Sequence, residues 1–172
     1  MNAEANGTSP DRPMSVVFGY SDSDDRMWVR IGDGPLLWWI TRRLALRMIG
    51  QWAALVERTV PAEAGAGSPT APLAAAERAR QAALEHRGAL VPPPSPASHA
   101  AAEPQAPPGT SALLYGVEIA VKGEKMRFSL RSAEHRQAFE TPRGDAHRLL
   151  AAFVSRCRRN GWLDSPLPEW LR

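Results

Sequence analysis

Residue types that could bind a metal or perform catalysis occur in this chain, but their spacing does not assemble a site. An acidic turn holds Asp22, Asp24 and Asp25. A calcium-binding loop would also need further oxygen ligands, a glycine at its sharp turn and a closing glutamate. Arg26 and Met27 follow instead. The turn is therefore expected to be solvated, and no metal site is predicted.

The histidines and the single cysteine are also poorly placed for chemistry. The histidines, which show no metal-ligand spacing, are His86, His99, His135 and His147. Cys157 falls on an apolar helical stripe without a base to activate it, so we expect it to pack as a small hydrophobic side chain. The sequence contains no Walker loop, nucleophile elbow or glycine-rich dinucleotide motif. We therefore predict no catalytic residues, no enzymatic activity and no cofactor.

Arginines near two predicted helix starts are candidates for anion binding. Arg42 and Arg43 follow the expected cap Thr41, and Arg143 has the corresponding place in a later helix. Free N–H groups at a helix start, combined with guanidinium groups, bind phosphate well. The alternative is that these side chains extend into solvent or pair with the acidic turn. With Arg30 on a neighbouring strand, they form the predicted anion or nucleic-acid site.

Tryptophans are the other candidates for a binding surface. They are Trp28, Trp38, Trp39, Trp162 and Trp170. Because side chains alternate along a strand, Trp38 and Trp39 point to opposite faces, and at most one enters the core with the helix. The other needs a cover, which is the second half of the chain, a dimer mate, a partner protein or stacked bases.

Composition narrows the class of protein. A single cysteine permits no intramolecular disulfide, which suits a reducing compartment. No signal peptide is apparent, and the longest apolar run, Leu36 to Ile40, is too short to span a bilayer. We expect a cytoplasmic protein without membrane association. Its net charge of +3 is a weak indication of a nucleic-acid partner, because nineteen arginines against two lysines also indicate a GC-rich genome.

Local signals divide the chain into two folding units joined by a linker. The predicted segments are a disordered N-terminus at 1–13, a β-β-β-α unit at 14–60, a Pro/Ala-rich linker at 61–110, a second β-β-β-α unit at 111–163 and an apolar tail at 164–172. A stretch of high helix propensity lies within the linker. Only Leu73 and Leu84 could dock it, so a transient helix is expected there.

Each unit is expected to contain three strands followed by one amphipathic helix. In the first unit the strands are expected at 15–20, 27–31 and 36–40, and the helix runs from the cap Thr41 to about Thr59. In the second unit the strands are expected at 113–121, 126–130 and 135–139. Its helix is predicted to begin with Thr141 as the cap and to end at Asn160-Gly161.

The two units can be aligned as an internal repeat. Before the helices, the aligned pairs are Trp39 with Phe139, Thr41 with Thr141 and Arg43 with Arg143. Within the helices, after a slip of one residue, they are Met48 with Leu149, Ile49 with Leu150, Trp52 with Phe153, Ala53 with Val154 and Val56 with Cys157. Because a unit of about 50 residues buries too little surface alone, both are expected to pack into one α+β domain with pseudo-twofold symmetry.

This arrangement resembles, in topology, the PUR-type repeat, which pairs sheet-plus-helix units and binds single-stranded nucleic acid. No sequence motif matches, and no residue roles are carried over. The leading hypothesis is a non-enzymatic binding or adaptor protein that docks a protein partner, or a second copy, through an aromatic sheet face. One alternative is a single-stranded nucleic-acid-binding protein that uses aromatic and arginine side chains. Another is an accessory subunit of a larger enzyme complex.

Overall fold

The computed structural model describes residues 15–60, 75–91, 110–163 and 166–172, and it has the α+β architecture expected. The strands are β1 (Val16–Ser21), β2 (Arg26–Ile31), β3 (Leu37–Ile40), β4 (Ser111–Leu113), β5 (Gly116–Lys122), β6 (Lys125–Arg131) and β7 (Arg136–Pro142). The helices are α1 (Arg42–Arg58), α2 (Ala75–Leu90) and α3 (Arg143–Arg159), and a 3₁₀ turn follows at Glu169–Leu171. The predicted disordered N-terminus, Leu73 and His99 lie outside the described residues.

The strands form two sheets. The first has the order β1-β2-β3-β4, and the second is an antiparallel β5-β6-β7 meander. In the first sheet β1, β2 and β3 are also an antiparallel meander, whereas β4 runs parallel to β3. A helix follows each meander, so the order of elements partly matches the predicted β-β-β-α units.

The strand predicted at 113–121 is two strands that serve different sheets. The change of sheet occurs at two consecutive residues: the N–H of Leu114 donates to the carbonyl of Trp39 at 2.8 Å, and that of Tyr115 donates to the carbonyl of Arg131 at 3.1 Å. The single-strand prediction is therefore wrong. The distant partners of a strand decide where it pairs, and they are not visible in its own residues.

The caps of the two long helices differ. Thr41 caps α1 as predicted, because its hydroxyl oxygen accepts from the N–H of Leu44 at 3.4 Å. For α3 the prediction that Thr141 is the cap is wrong. Thr141 is buried in β7 opposite Met126, and Pro142 takes the cap position. The strand continues to the last residue before the helix, which leaves the threonine hydroxyl no access to the first turn.

Helix α2 lies within the segment predicted to be a linker, and it packs against α3, α1 and the 3₁₀ turn. The prediction that Leu84 docks this helix is wrong, because its side chain is 51% exposed. The side chains that face the other helices are those of Ala82 and His86. None of the described helices is long and apolar enough to cross a membrane.

The long helices of the two halves each contact the sheet of the other half. Trp52 of α1 meets Phe128 of β6 edge to face, with ring centroids 4.7 Å apart. Phe153 of α3 meets Phe18 of β1 in the same way, at 5.5 Å. Both helices have 17 residues, and these aromatic side chains occupy the same position in each. A single hydrophobic core between the helices and the inner sheet faces therefore joins both halves.

Candidate functional site

Two of the predicted binding tryptophans are part of the internal packing. Trp38 is fully buried, and its indole N–H donates to Oε1 of Gln137 at 2.7 Å. Trp162 is 1% exposed, and its indole N–H donates to Oδ1 of Asp25 at 3.1 Å. Each bond joins one half of the chain to the other, so these side chains have no surface left for a partner.

The predicted alternation at β3 is confirmed. Trp38 points into the core, whereas Trp39 lies on the outer face of the first sheet, directly opposite Trp28 on β2. The indole of Trp28 lies across Gly19 and is 1% exposed. Trp39 is half-buried. Of these strand tryptophans, Trp39 alone keeps appreciable accessible surface.

Trp170 attaches the C-terminal turn to the helices. Its indole N–H donates to Oε1 of Glu57 on α1 at 2.7 Å. Its ring meets the ring of His86 on α2 edge to face, with centroids 5.2 Å apart. Trp170 is half-buried, and these contacts commit much of its surface to the chain itself.

Arg143 of the predicted anion site binds groups within the chain. Its guanidinium group donates to Oγ1 of Thr59 and to the carbonyl of Val56, both at 2.8 Å, and to Oε2 of Glu85 at 2.9 Å. A cation at the C-terminus of α1 is favourable because the helix dipole is negative there. The anion that Arg143 contacts is therefore the Glu85 carboxylate, and the three bonds connect all three helices.

The remaining predicted arginines are on or beside the first sheet. Arg43 is exposed, whereas Arg30 and Arg42 are half-buried. The Nε–H of Arg30 is buried without a hydrogen-bond acceptor among the described residues. Hydrogen bonds from Tyr20 and Trp162 lower the pKa of Asp25, and the nearby charge of Arg42 contributes. Arg42 thus interacts with the acidic turn, in agreement with the alternative considered for it.

The outer face of the second sheet is exposed and basic. Inward-pointing Met126, Phe128 and Leu130 alternate along β6 with polar residues that point outward. Across β5, β6 and β7 the outward side chains include five cations and two carboxylates: Lys122, Lys125, Arg127, Arg131, Arg136, Glu118 and Glu140. We call this surface the basic face.

Like charges oppose each other at both ends of the basic face. Lys122 is directly opposite Lys125, and Arg131 is directly opposite Arg136. Such pairs destabilise a sheet. At the first end Glu140 accepts a hydrogen bond from Lys122 at 2.9 Å, which lowers the pKa of the carboxyl group. At the second end, no described carboxylate lies within ion-pair distance of either arginine.

Apolar side chains adjoin this second end. Tyr115 and Leu113 are 59% and 49% exposed, and Leu113 is opposite Trp39 on the outer face. Tyr115 adjoins Arg131 through the backbone, because its N–H donates to the carbonyl of Arg131 at 3.1 Å. Arg131 also borders a groove of about 610 Å³ between α1 and β5, which Arg58 lines as well. Aromatic, apolar and cationic groups are thus brought together here.

Sequence reasoning did not select the basic face, although its signal was present. Side chains alternate in Lys125–Arg131, so that the apolar ones share one face of the strand and the polar ones, most of which are cations, share the other. The tryptophans instead predicted a binding surface on the first sheet, whose outer face is largely buried. What could not be read locally was the exposure of one outer face and the burial of the other.

The titratable groups that the structure describes outside the basic face are not arranged as a metal site. Among the described residues, no group of three or more His, Cys, Asp or Glu side chains is placed to hold a metal ion. Burial raises the pKa of the Cys157 thiol to about 12, and its Sγ lies 3.6 Å from Sδ of Met27. A thiol with such a pKa is a poor nucleophile. His86 and His147 are buried and contact each other, and His135 lies in the turn between β6 and β7.

The candidate site can therefore attract anions and stack or pack against flat groups. No family model, curated protein or solved structure matches this chain. The function proposed below accordingly depends on the chemistry of the exposed surface.

Proposed function

We propose that this chain is a non-enzymatic binding protein and that its basic face binds single-stranded nucleic acid. The observation that carries the proposal is that Arg131 and Arg136 are directly opposed in the sheet and form no ion pair with a described carboxylate. The exposed Tyr115 adjoins them in the chain, since its N–H donates to the carbonyl of Arg131. Opposed cations repel each other in the free protein. A phosphate chain across this face would relieve that repulsion.

The small side chains between the cations of the basic face favour a single strand over a duplex. The outward residues between the cations are small, namely Gly116, Ala120, Ser129 and Ala138. An open sheet face lets splayed bases lie across it, and the exposed Tyr115 at its border could stack on one of them, whereas the bases of a duplex are already stacked on one another. Trp39, which is opposite Leu113 in the first sheet, is a further half-buried aromatic side chain.

We further infer that the two β-β-β-α units are structural copies separated by a long linker. The pairing of the strands supports an offset of 101 residues between β3 and β7, as between α1 and α3, and of 99 residues between β2 and β6. Trp38 then aligns with Phe139, because these residues oppose Val29 and Phe128, which also align. The alignment of Trp39 with Phe139 was one residue out of register, which exchanges the two faces. Under the corrected alignment, the outer pair Trp28–Trp39 corresponds to the pair Arg127–Glu140.

That correspondence explains why the second unit carries the proposed site. In the first unit the outer-face pair is two indoles, and one of them is 1% exposed. In the second unit it is an exposed ion pair, with Arg127 3.6 Å from Glu140. One copy has an apolar outer face and the other a charged one. This difference between the outer faces supports binding at the charged one.

The test is a binding titration of labelled single-stranded oligonucleotide, followed by fluorescence anisotropy over a range of salt. Binding at low salt is expected to weaken as salt increases, because bound counterions are released. The double variant Arg131→Gln/Arg136→Gln is expected to reduce the slope of log Kobs against log salt by about 1.4, since each phosphate contact on a single strand contributes about 0.7.

The matched control is Arg47→Gln/Arg158→Gln, which removes the same charge from exposed positions on α1 and α3. Its slope should equal that of the parent chain. A duplex of the same sequence should bind more weakly than the single strand. Equal losses in the two double variants would contradict a site on the basic face, and no binding at the lowest salt would rule out the proposal.

A protein partner is the second candidate, and the exposed apolar strip of Leu113 and Tyr115 favours it. Leu113 is opposite Trp39, the one predicted strand tryptophan that keeps accessible surface. A second copy of the chain is one occupant, and a subunit of a larger enzyme complex, for which this chain would be an accessory, is another. The proposed compartment is the cytoplasm, whose reducing conditions suit the free thiol of Cys157.

Sedimentation velocity over a range of protein concentrations separates these occupants. If copies associate through the strip, the parent chain should sediment faster with rising concentration and Leu113→Asp should remain monomeric. A charge at that position prevents apolar contact between copies while leaving Arg131 and Arg136 in place. Association that is unchanged in Leu113→Asp would place the interface elsewhere.

A further inference from the structure

A chain of polar side chains holds α2 against α3. Nδ1 of His86 on α2 lies 3.2 Å from Nδ1 of His147 on α3. Nε2 of His147 lies 3.3 Å from Oε2 of Glu85, which also accepts from Arg143 at 2.9 Å. The histidines are 7% and 1% exposed. We call these four residues the histidine cluster.

The contacts determine where the protons lie. Because Nε2 of His147 faces a carboxylate, it carries a proton and donates to Glu85. In the neutral cluster, Nδ1 of His147 is then an acceptor, and Nδ1–H of His86 donates to it. If one proton is added, the imidazole that receives it donates to the unprotonated Nδ1 of the other. The pair can therefore hold no extra proton or one extra proton.

A second added proton leaves both facing nitrogens as donors, and their hydrogen bond is lost. We propose that the histidine cluster is a pH-sensitive latch that docks α2 on the helical layer and releases it when both imidazoles are protonated. This inference is independent of the proposed binding function.

The charges around the cluster cannot accommodate two imidazolium groups. Glu85 is the only carboxylate in direct contact with it among the described residues, and Arg143 already neutralises Glu85. The ring of Trp170 packs at a steep angle to that of His86, and its N–H is bonded to Glu57 of α1. With both histidines charged, the cluster would have a net charge of two in a largely water-excluded site, which is costly.

Two further charged groups lie at its margin and balance each other. Arg148 of α3 donates to the carbonyl of Ala89 and pairs with Asp145 one turn earlier. Both side chains are about half exposed, so solvent screens their effect on the buried imidazoles. In the 3₁₀ turn Glu169 is exposed as well.

Little apolar packing would hold α2 once the latch opens. Its only buried apolar side chain is Ala82, whereas Leu84 and Leu90 are 51% and 47% exposed. A helix of 16 residues is marginal by itself in water. Release should therefore melt α2 locally, while the core formed by α1, α3 and the sheets remains folded.

The direction of the pH dependence follows from the burial of His86. Burial lowers the pKa of His86, and the charge of His147 lowers it further. The released helix, with an ordinary histidine pKa of about 6.5, then binds protons more tightly than the docked helix. Docking is complete above about pH 6.5 and is lost as the pH falls below it. The equilibrium constant for docking should fall by about tenfold per pH unit for each additional proton bound on release.

Hydrogen–deuterium exchange of the full chain, read by mass spectrometry and corrected for the intrinsic effect of pH, tests the latch. Between about pH 7.5 and pH 5, the protection of peptides from residues 75–91 should fall at least tenfold, while that of α1 peptides should change little. The titration of the parent chain needs no variant to fold. Loss of protection in α1 and α2 together, or unchanged protection of α2, would overturn the proposal.

Variants assign the effect to the cluster. His86→Phe keeps an aromatic ring against Trp170 but cannot be protonated, so α2 should become insensitive to pH over this range. The control His135→Gln removes a histidine from the β6–β7 turn and should retain the full response. A His86→Phe chain whose α2 still loses protection at low pH would show that other groups are responsible.

Discussion

The Trp52→Ala variant is expected to have a free energy of unfolding about 3–5 kcal/mol lower than that of the parent chain. The side chain of Trp52 is 3% exposed and reaches from α1 to Phe128 on the opposite sheet. Its removal leaves a cavity at the joint between the two halves. Urea denaturation followed by circular dichroism measures the loss, and an unchanged m-value confirms that the same surface is exposed on unfolding.

Two controls separate this cavity from other effects. The indole N–H of Trp52 is buried without an acceptor among the described residues, so Trp52→Phe loses no hydrogen bond. Because phenylalanine leaves a smaller cavity than alanine, it should cost less than Trp52→Ala. The exposed neighbour Gln51 can be changed to alanine at a cost within about 0.5 kcal/mol. A Trp52→Ala cost near that of Gln51→Ala would contradict the cross-sheet packing.

Local features of this fold were predictable because their causes are local. The hydroxyl of Thr41 needs only the first turn of its own helix as a partner. Gly161 adopts a φ of +65°, and it ends α3 as expected of a glycine after the last helical turn. The helical stripes likewise depend on spacing alone, and the aligned positions, such as Trp52 and Phe153, are buried in both helices.

Features that depend on distant partners were not predictable in the same way. The residues around Leu114 form a plausible single strand, and only the competing partners β3 and β6 divide it. The docking of α2 was also missed, because it depends on His86 meeting His147 from 61 residues away rather than on leucines. Propensity and periodicity describe one segment by itself, so they contain no information about either of these long-range contacts.

Local patterns also could not predict which side chains of the candidate site are buried. Alternation correctly separated Trp38 from Trp39, but it cannot say which outer face is accessible. Tryptophan is a frequent interface residue, yet Trp38 and Trp162 instead form bonds between the halves of this chain. The cations of β6 were visible as a pattern, and their importance became clear only with the opposition of Arg131 and Arg136 across two strands.

The Gly19→Ala variant is expected to lose about 1–3 kcal/mol of stability, in the range found when well-packed regions are overfilled. Gly19 is directly opposite Trp28 in the first sheet. A Cβ added at Gly19 would lie 2.1 Å from the Cε2 and Cζ2 atoms of that indole. Because Trp28 is 1% exposed, its ring has no free space into which it could move without disturbing its neighbours.

Gly50→Ala is the matched control, because Gly50 is exposed within α1 and an added Cβ meets nothing within 4 Å. It should gain about 0.5–1 kcal/mol, since alanine is the better helix former. Thermal or urea denaturation of both variants gives the comparison. Adding Trp28→Val to Gly19→Ala should recover part of the loss, so the cycle should show coupling between the two sites. If Gly19→Ala stabilises the chain as Gly50→Ala does, the indole cannot lie across β1, and the burial of the first outer face needs another cause.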